Sequence, residues 1–244
     1  MLRTKYFVLF HSTALYKSIR CLLNKKMMKL LIISSSPHRE KSNTFILAEE
    51  VLKCCNAPKI LEVIHLCDLS ICFCRHCEGC HKKILHCSIA DSVPGIINKM
   101  LEADGIILAS PNYINQVTAS MKTLFDRASH LIHCKRLLGK YIIAVISSGS
   151  GQDEDVLGYI KYYAHTCGAQ YSGGVSSRVP VSKEKMEEAC RLGLRLAIDI
   201  KEKKAYPEQI VLIEESKQHF KELIKKRKNE WTEEYQYWQD KGWL

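Results

Sequence analysis

The sequence is 244 residues long, 46% of them hydrophobic, and carries a formal charge of +10 at neutral pH. A chain of this make-up can bury a core, which excludes a disordered protein, and no run approaches the ~20 apolar residues of a membrane-spanning helix. Six basic residues and no acidic one lie in Met1–Met28 (Arg3, Lys5, Lys17, Arg20, Lys25 and Lys26), so over half of the surplus charge is local; neither a nucleic-acid partner nor a membrane is expected, and a few cations facing an anionic ligand suffice.

Residues 1–27 read as an extension. The apolar patch Tyr6–Phe10 is interrupted by His11 and Ser12, and no small-residue cleavage site follows, so a signal peptide is not expected. Met27 and Met28 stand directly before the first strand, as a translation start or the end of an unstructured lead would. Lys29–Ser34 is a nearly continuous apolar run, as in a parallel strand buried on both faces. A polar loop follows, then helical spacing over Asn43–Leu52, and a second strand over Lys59–Leu66. Residues 67–90 have no clean period and hold six of the 12 cysteines. Asp91 is placed to cap a helix reaching Leu101. Gly105–Ala109 is a third buried strand, and a long polar loop leads to a helix expected over Ala119–Ile132. Tyr141–Ser147 is a fourth strand, closed by Gly149 and Gly151 and followed by a helix over Asp153–Thr166. Ala169–Ser177 is a weaker fifth strand, and Ser182–Lys203 a helix.

Five strand–helix alternations predict a doubly wound, five-stranded parallel sheet in a three-layer α/β/α sandwich. Ligands of such sheets bind beyond the carboxyl ends of the strands, where strand order reverses. The expected division is an α/β domain over residues 28–204 and a helical tail over 205–244, the tail packing Trp231, Tyr235, Tyr237, Trp238 and Trp243 on the core or on a partner subunit.

Three loops carry candidate chemistry. In the first, Ser34 to Thr44, a helix N-terminus offers backbone N–H groups and the positive end of a dipole. Ser36, Ser42 and Thr44 add hydroxyls, Asn43 an amide, and Arg39 and Lys41 positive charge, a set that fits a phosphate monoester. The loop lacks the Gly-Lys-Ser/Thr of a triphosphate loop and the G-x-G-x-x-G of a dinucleotide fold. In the second, Ser110 to Lys122, a proline and an aromatic at a strand's end can lay backbone and Tyr113 against a flat ring, and the following Asp126–Arg127 reads as a structural pair. The third, Ser147 to Gly151, approaches the same crevice with small residues.

The cysteines Cys74, Cys77 and Cys80, with Cys87 further on, suit a polynuclear iron–sulfur group bound by soft thiolates. Free thiols, or a zinc site using His76, His81 or His86, are the competing readings. Clustering of thiols in a chain with its own core points to a reducing compartment. The scattered Cys21, Cys54, Cys55, Cys134, Cys167 and Cys190 read mostly as small buried hydrophobes.

Ser36-Pro37-His38-Arg39 with Ser42-Asn43-Thr44, and Ser110-Pro111-Asn112-Tyr113 with Ala119-Ser120-Met121-Lys122 and Asp126-Arg127, resemble the phosphate loop and the flavin-facing block of the NADPH-dependent FMN reductases. The cysteine spacing resembles that of the iron–sulfur flavoproteins of the same flavodoxin-like group. The resemblance implies FMN held by Ser36, His38, Arg39, Ser42, Asn43 and Thr44 at its phosphate. It places the ring on Pro111, Asn112, Tyr113, Ile114 and Asn115, near Ser148 and Gly149. It further implies a [4Fe–4S] cluster on Cys74, Cys77, Cys80 and Cys87, and NAD(P)H as electron donor to a small-molecule or protein acceptor. A cytoplasmic homodimer or homotetramer is expected, with no side chain acting as catalytic acid or base. A non-enzymatic electron carrier and a zinc-stabilised interaction protein are the rival functions.

Overall fold

In the computed structural model the described residues are 27–56 and 59–244. The expectations for residues 1–26, Cys21 among them, lie outside these. Strand β1 (Met28–Ser34) sits between β2 (Lys59–His65) and β3 (Gly105–Pro111); β4 (Tyr141–Ser148) and β5 (Gln170–Arg178) continue the sheet beyond β3. The order is β2-β1-β3-β4-β5 and every pairing is parallel, the flavodoxin-like doubly wound topology. From β1 the chain crosses to one neighbour and later to the other, so the switch point lies between β1 and β3.

Alternation along the central strands sorts two cores. Leu30, Ile32, Ile107, Ile143 and Val145 face helices α1 (Asn43–Cys54) and α7 (Lys183–Glu202). Leu31, Ile33, Ile106, Leu108 and Ile142 face α3 (Val93–Glu102), α4 (Ala119–Asp126) and α6 (Glu154–Thr166). Between these, the short α2 (Gly79–Lys82) lies in the cysteine-rich loop and α5 (Ser129–His133) follows α4. The tail forms α8 (Pro207–Lys226) and α9 (Thr232–Asp240). Trp238 and Trp231, both buried, pack with Ile224 of α8 and Cys134 into a third core on the chain's own body. No helix of the described residues is long and apolar enough to cross a membrane.

Three expectations need correction. The single helix over Ala119–Ile132 is two, because Ala128 leaves helical geometry (φ −104°, ψ 23°) and the chain restarts at Ser129. Arg127 at that break does not pair with Asp126: Asp126 takes Lys122 one turn away at 2.5 Å, and Arg127 turns inward to Asp91. Cys54 and Cys190 are not isolated buried thiols but form a disulfide between α1 and α7. Those helices touch so closely, with no room for a side chain at Gly193 against the Val51 carbonyl, that two facing cysteines come within bonding reach, their Cα atoms 5.1 Å apart.

Candidate functional site

The β1 loop turns sharply into α1. Ser42 caps the helix, its hydroxyl accepting from the Phe45 N–H at 3.0 Å, so the N–H groups of Asn43 and Thr44 are the ones the helix itself cannot use. Thr44 is buried and shares a 2.5 Å hydrogen bond with the Ser147 hydroxyl, tying this loop to the end of β4. Ser36 is buried, its hydroxyl accepting from the His38 N–H at 3.4 Å. Arg39, in the left-handed region at φ 52°, pairs with Asp68 rather than standing free. That hydrogen bond, with the attraction between the charges, raises the guanidinium pKa and holds Asp68 below the usual carboxylate range. With Arg39 so engaged, the loop's remaining donors are the helix N-terminus and its polar side chains, with His38 and Lys41 exposed at the rim.

The loop after β3 is a tight antiparallel hairpin. Tyr113 and Gln116 exchange backbone hydrogen bonds at 3.0 and 3.2 Å around Ile114 and Asn115, whose φ values are +53° and +56°. A β-branched residue in that region is an outlier, and strain of this kind concentrates at functional sites. The Ile114 side chain is 99% exposed, so no packing fixes it there. Behind the hairpin, the Asn112 amide donates to the Gln152 carbonyl at 2.8 Å and to Asp153 at 2.9 Å. Ser148 donates to the same buried carboxylate at 3.1 Å, and its oxygen accepts from the Gly151 N–H at 2.8 Å. Asp153, read from sequence only as a helix start, thus locks the second and third loops together. All three loops lie at the carboxyl ends of the strands β1, β3 and β4, which are neighbours in the sheet.

The cysteine loop leaves β2 at the sheet edge. Cys74, Cys77, Cys80 and Cys87 line one cavity together with Arg75, Ser129 and Arg127. His76, Glu78 and Leu85 adopt positive φ, so the loop is bent repeatedly around this space. Polar groups address all four sulfurs, the His76 N–H donating to Cys74 at 3.4 Å. Cys77 meets the Ser88 hydroxyl at 3.3 Å, and that bond, aided by the Gly79 N–H, lowers its thiol pKa. Cys80 meets Ser129 at 3.6 Å, but burial pushes its thiol up. Arg127 donates to Cys87 at 3.2 Å.

Arg127 is the centre of this support. Its guanidinium forks onto Asp91 at 2.7 and 3.0 Å and reaches the Cys72 carbonyl at 2.7 Å, while the Cys72 N–H returns to Asp91 at 2.9 Å. Both side chains are 1% exposed. Burial pushes the Asp91 carboxyl up, but Arg127 and the N–H groups of Cys72 and Val93 more than offset it, leaving the carboxyl below its usual range.

From the far side the tail closes over the loop. Glu78 bonds Arg227 and accepts from the Trp231 indole at 3.1 Å. The Ile84 N–H donates to Glu233 at 2.7 Å. Glu234 lies between His81 and His133 at 2.7 and 3.1 Å. Burial raises its carboxyl, and the two imidazoles outweigh that, so it lies below the usual range. Sequence reading missed these partners, since nothing local links residues some 150 positions apart.

The geometry can be set beside known proteins. The chain is 37% identical over 127 residues to an iron–sulfur flavoprotein of Archaeoglobus fulgidus, a match covering 50% of this chain and 60% of that relative's length. It is 37% identical over 133 residues to the iron–sulfur flavoprotein MJ1083 of Methanocaldococcus jannaschii, covering 53% of this chain and 68% of that one. Among solved structures, an NADH:FMN oxidoreductase in its apo form superposes with a TM-score of 0.56 at 20% identity, over 75% of this chain and 94% of the other, a likeness of fold. The family model for NADPH-dependent FMN reductase matches residues 28–178, which contain the three loops and the cysteine cavity. With well over half of its residues so matched, the chain belongs to the NADPH-dependent FMN reductase family, in the group that includes the iron–sulfur flavoproteins.

Proposed function

We propose that this chain is an FMN-dependent NAD(P)H oxidoreductase that hands electrons to an acceptor by way of a [4Fe–4S] cluster. The observation that carries the reading is the convergence of three loops on the β1/β3 switch point, where flavodoxin-like sheets take their flavin. The donor set fits FMN. The N-terminus of α1, with Ser36, Ser42, Asn43 and Thr44, supplies N–H and O–H donors for a monophosphate, with His38 exposed at the rim and Arg39 nearby, its charge engaged by Asp68. Pro111 to Asn115, with Ser148 and Gly149, would hold the ring, on a hairpin braced by Asp153. When bound, the flavin accepts hydride from reduced nicotinamide and releases electrons singly; the protein's part is to bind, orient and exclude water, and no side chain need act as acid or base.

The four cysteines fit a polynuclear cluster better than a single ion. Among the described residues, no three ligand atoms of the cysteine loop lie within 4.8 Å of one another. A tetrahedral zinc ion, with Zn–S of about 2.3 Å, would draw its sulfurs to within ~4 Å. Cys74, Cys77, Cys80 and Cys87 would hold the cluster, with Arg127 donating to the last. The fully exposed Ile114 beside Tyr113 supports a homo-oligomer in which a second subunit covers this hairpin.

The test is FMN affinity and reduction. Asn43→Ala with Thr44→Ala removes two donors and weakens FMN binding at least ~10-fold, with unchanged circular dichroism; undiminished affinity would place the phosphate elsewhere. Anaerobic mixing with NADPH or NADH bleaches the flavin band rapidly if the chain is a reductase. A stable oxidised flavin under those conditions would leave it an electron carrier.

A further inference from the structure

Outside the cysteine cavity, two groups among the described residues bring three ligand atoms together, and one of them, Glu50 with Cys54 and Cys190, has its thiols closed in the disulfide. His81 of α2, His133 at the end of α5 and Glu234 of α9 bring their ligand atoms within 4.8 Å of one another. The two imidazole rings stack with centroids 4.6 Å apart, so both Nδ1 atoms address the same carboxylate. Glu234 is fully buried, and His81 nearly so. The surrounding shell is apolar: the Trp231 ring lies 4.5 Å from His81 and 5.1 Å from His133, and the Phe220 ring 4.7 Å from His133. Ion pairs of Glu234 with any lysine or arginine are absent among the described residues.

Two features of this arrangement ask for a cation. The two imidazoles meet the carboxylate's oxygens, but no lysine or arginine among the described residues balances its buried negative charge, and an unbalanced buried charge is costly. Next to it, His130 is 2% exposed, and neither of its ring nitrogens has a hydrogen-bond partner among the described residues. Buried polar groups are normally paired, and His130 lies one helical turn before His133, within electrostatic reach of Glu234, His81 and His133.

We propose that His81, His133 and Glu234 bind one divalent transition-metal ion of the zinc class, separate from the cysteine cavity, and that the ion fastens the C-terminal helix α9 to the cysteine-bearing loop. Two imidazoles and a carboxylate are a common zinc ligand set with one position open, and such nitrogen and oxygen donors select zinc and its neighbours rather than magnesium or calcium. The fourth position is left open, since His130 is not among the ligand atoms that lie within 4.8 Å of one another. The site joins three elements that are distant in sequence, so the ion would be structural. It would hold Cys80, the residue next to His81, in place from behind.

Zinc itself is the probe. Full-length protein, purified anaerobically with FMN and iron counted, is dialysed against Zn²⁺, and zinc per chain and melting temperature are measured beside Glu234→Gln, His133→Ala and Cys77→Ser. Glu234→Gln keeps a carbonyl acceptor for the imidazoles and nearly the same volume, so it separates loss of ligation from loss of folding. The expected result is one zinc per chain in the wild type, with a raised melting temperature. Affinity falls at least ~100-fold in Glu234→Gln and His133→Ala, while iron and FMN contents hold, and zinc is retained in Cys77→Ser. Absence of zinc uptake by the folded wild type overturns the proposal. So does zinc that survives in Glu234→Gln but is lost in Cys77→Ser, which would move the ion to the cysteines and count against the cluster instead.

Discussion

Replacing Arg127 by Met should cost the fold about 4 kcal/mol. The substitution keeps most of the side chain's volume but removes two charged hydrogen bonds to Asp91, one to the Cys72 carbonyl and the contact with Cys87. It leaves the Asp91 carboxylate, 1% exposed, without its cation. Breaking a buried pair from one side costs about 3–5 kcal/mol, mostly because the remaining charge is stranded. With a urea slope of ~2 kcal/mol per molar, the unfolding midpoint should fall by about 2 M. Removing both charges, in Arg127→Met with Asp91→Asn, should recover most of the loss, since neither group is then left ionised in the core.

The sign with pH follows from Asp91, whose folded pKa lies below its unfolded value of about 3.9. Its contribution is fully present above that unfolded value and is lost as pH falls through the folded one. The gap between wild type and Arg127→Met should therefore narrow as pH falls, first as the stranded, buried Asp91 of the variant takes up a proton above about 3.9, then as the wild type loses its own contribution below that value. Urea melts at several pH values check this. A single variant whose midpoint lies within a few tenths of a molar of the wild type, or a double variant no better than the single, would refute the reasoning.

Two further substitutions test packing and strain. Gly193→Ala places a methyl carbon 1.9 Å from the Val51 carbonyl oxygen, a backbone atom that cannot step aside; separation of α1 and α7 should cost about 1–3 kcal/mol, read as a melting temperature several degrees lower. Ile114→Gly relieves a left-handed β-branched residue and should raise the urea midpoint by the equivalent of about 1 kcal/mol, while analytical ultracentrifugation registers weaker self-association if the hairpin is covered by a second subunit.

Much of the sheet was legible because buried parallel strands advertise themselves. Leu30 to Ile33, Ile106 to Ala109 and Ile142 to Ile146 are unbroken apolar runs, and each is followed by small or polar residues at the strand's carboxyl end. The loops that meet at the switch point could be found by position, since chain order and strand type fix where they emerge. Their bracing could not. Asp153 looked like an ordinary helix start, and its burial between Asn112 and Ser148 depends on two strands lying side by side. Arg127 looked like half of a local pair with Asp126; only the fold places Asp91 opposite it, 36 residues away. Glu234 sat in a tail of nearly balanced charge, and its two histidine partners lie a hundred or more residues upstream, beyond the reach of any periodicity. The Cys54–Cys190 bond was hidden for the same reason: a thiol's fate is decided by the helix packed against it.

That bond makes a covalent ring of the chain between residues 54 and 190. The ring takes in four of the five strands, the cysteine loop and the Ile114 hairpin. A protease that cuts at the exposed hairpin or in the cysteine loop would not separate the pieces. The cleaved protein would migrate as one species until a reductant is added, and only then fall into two fragments.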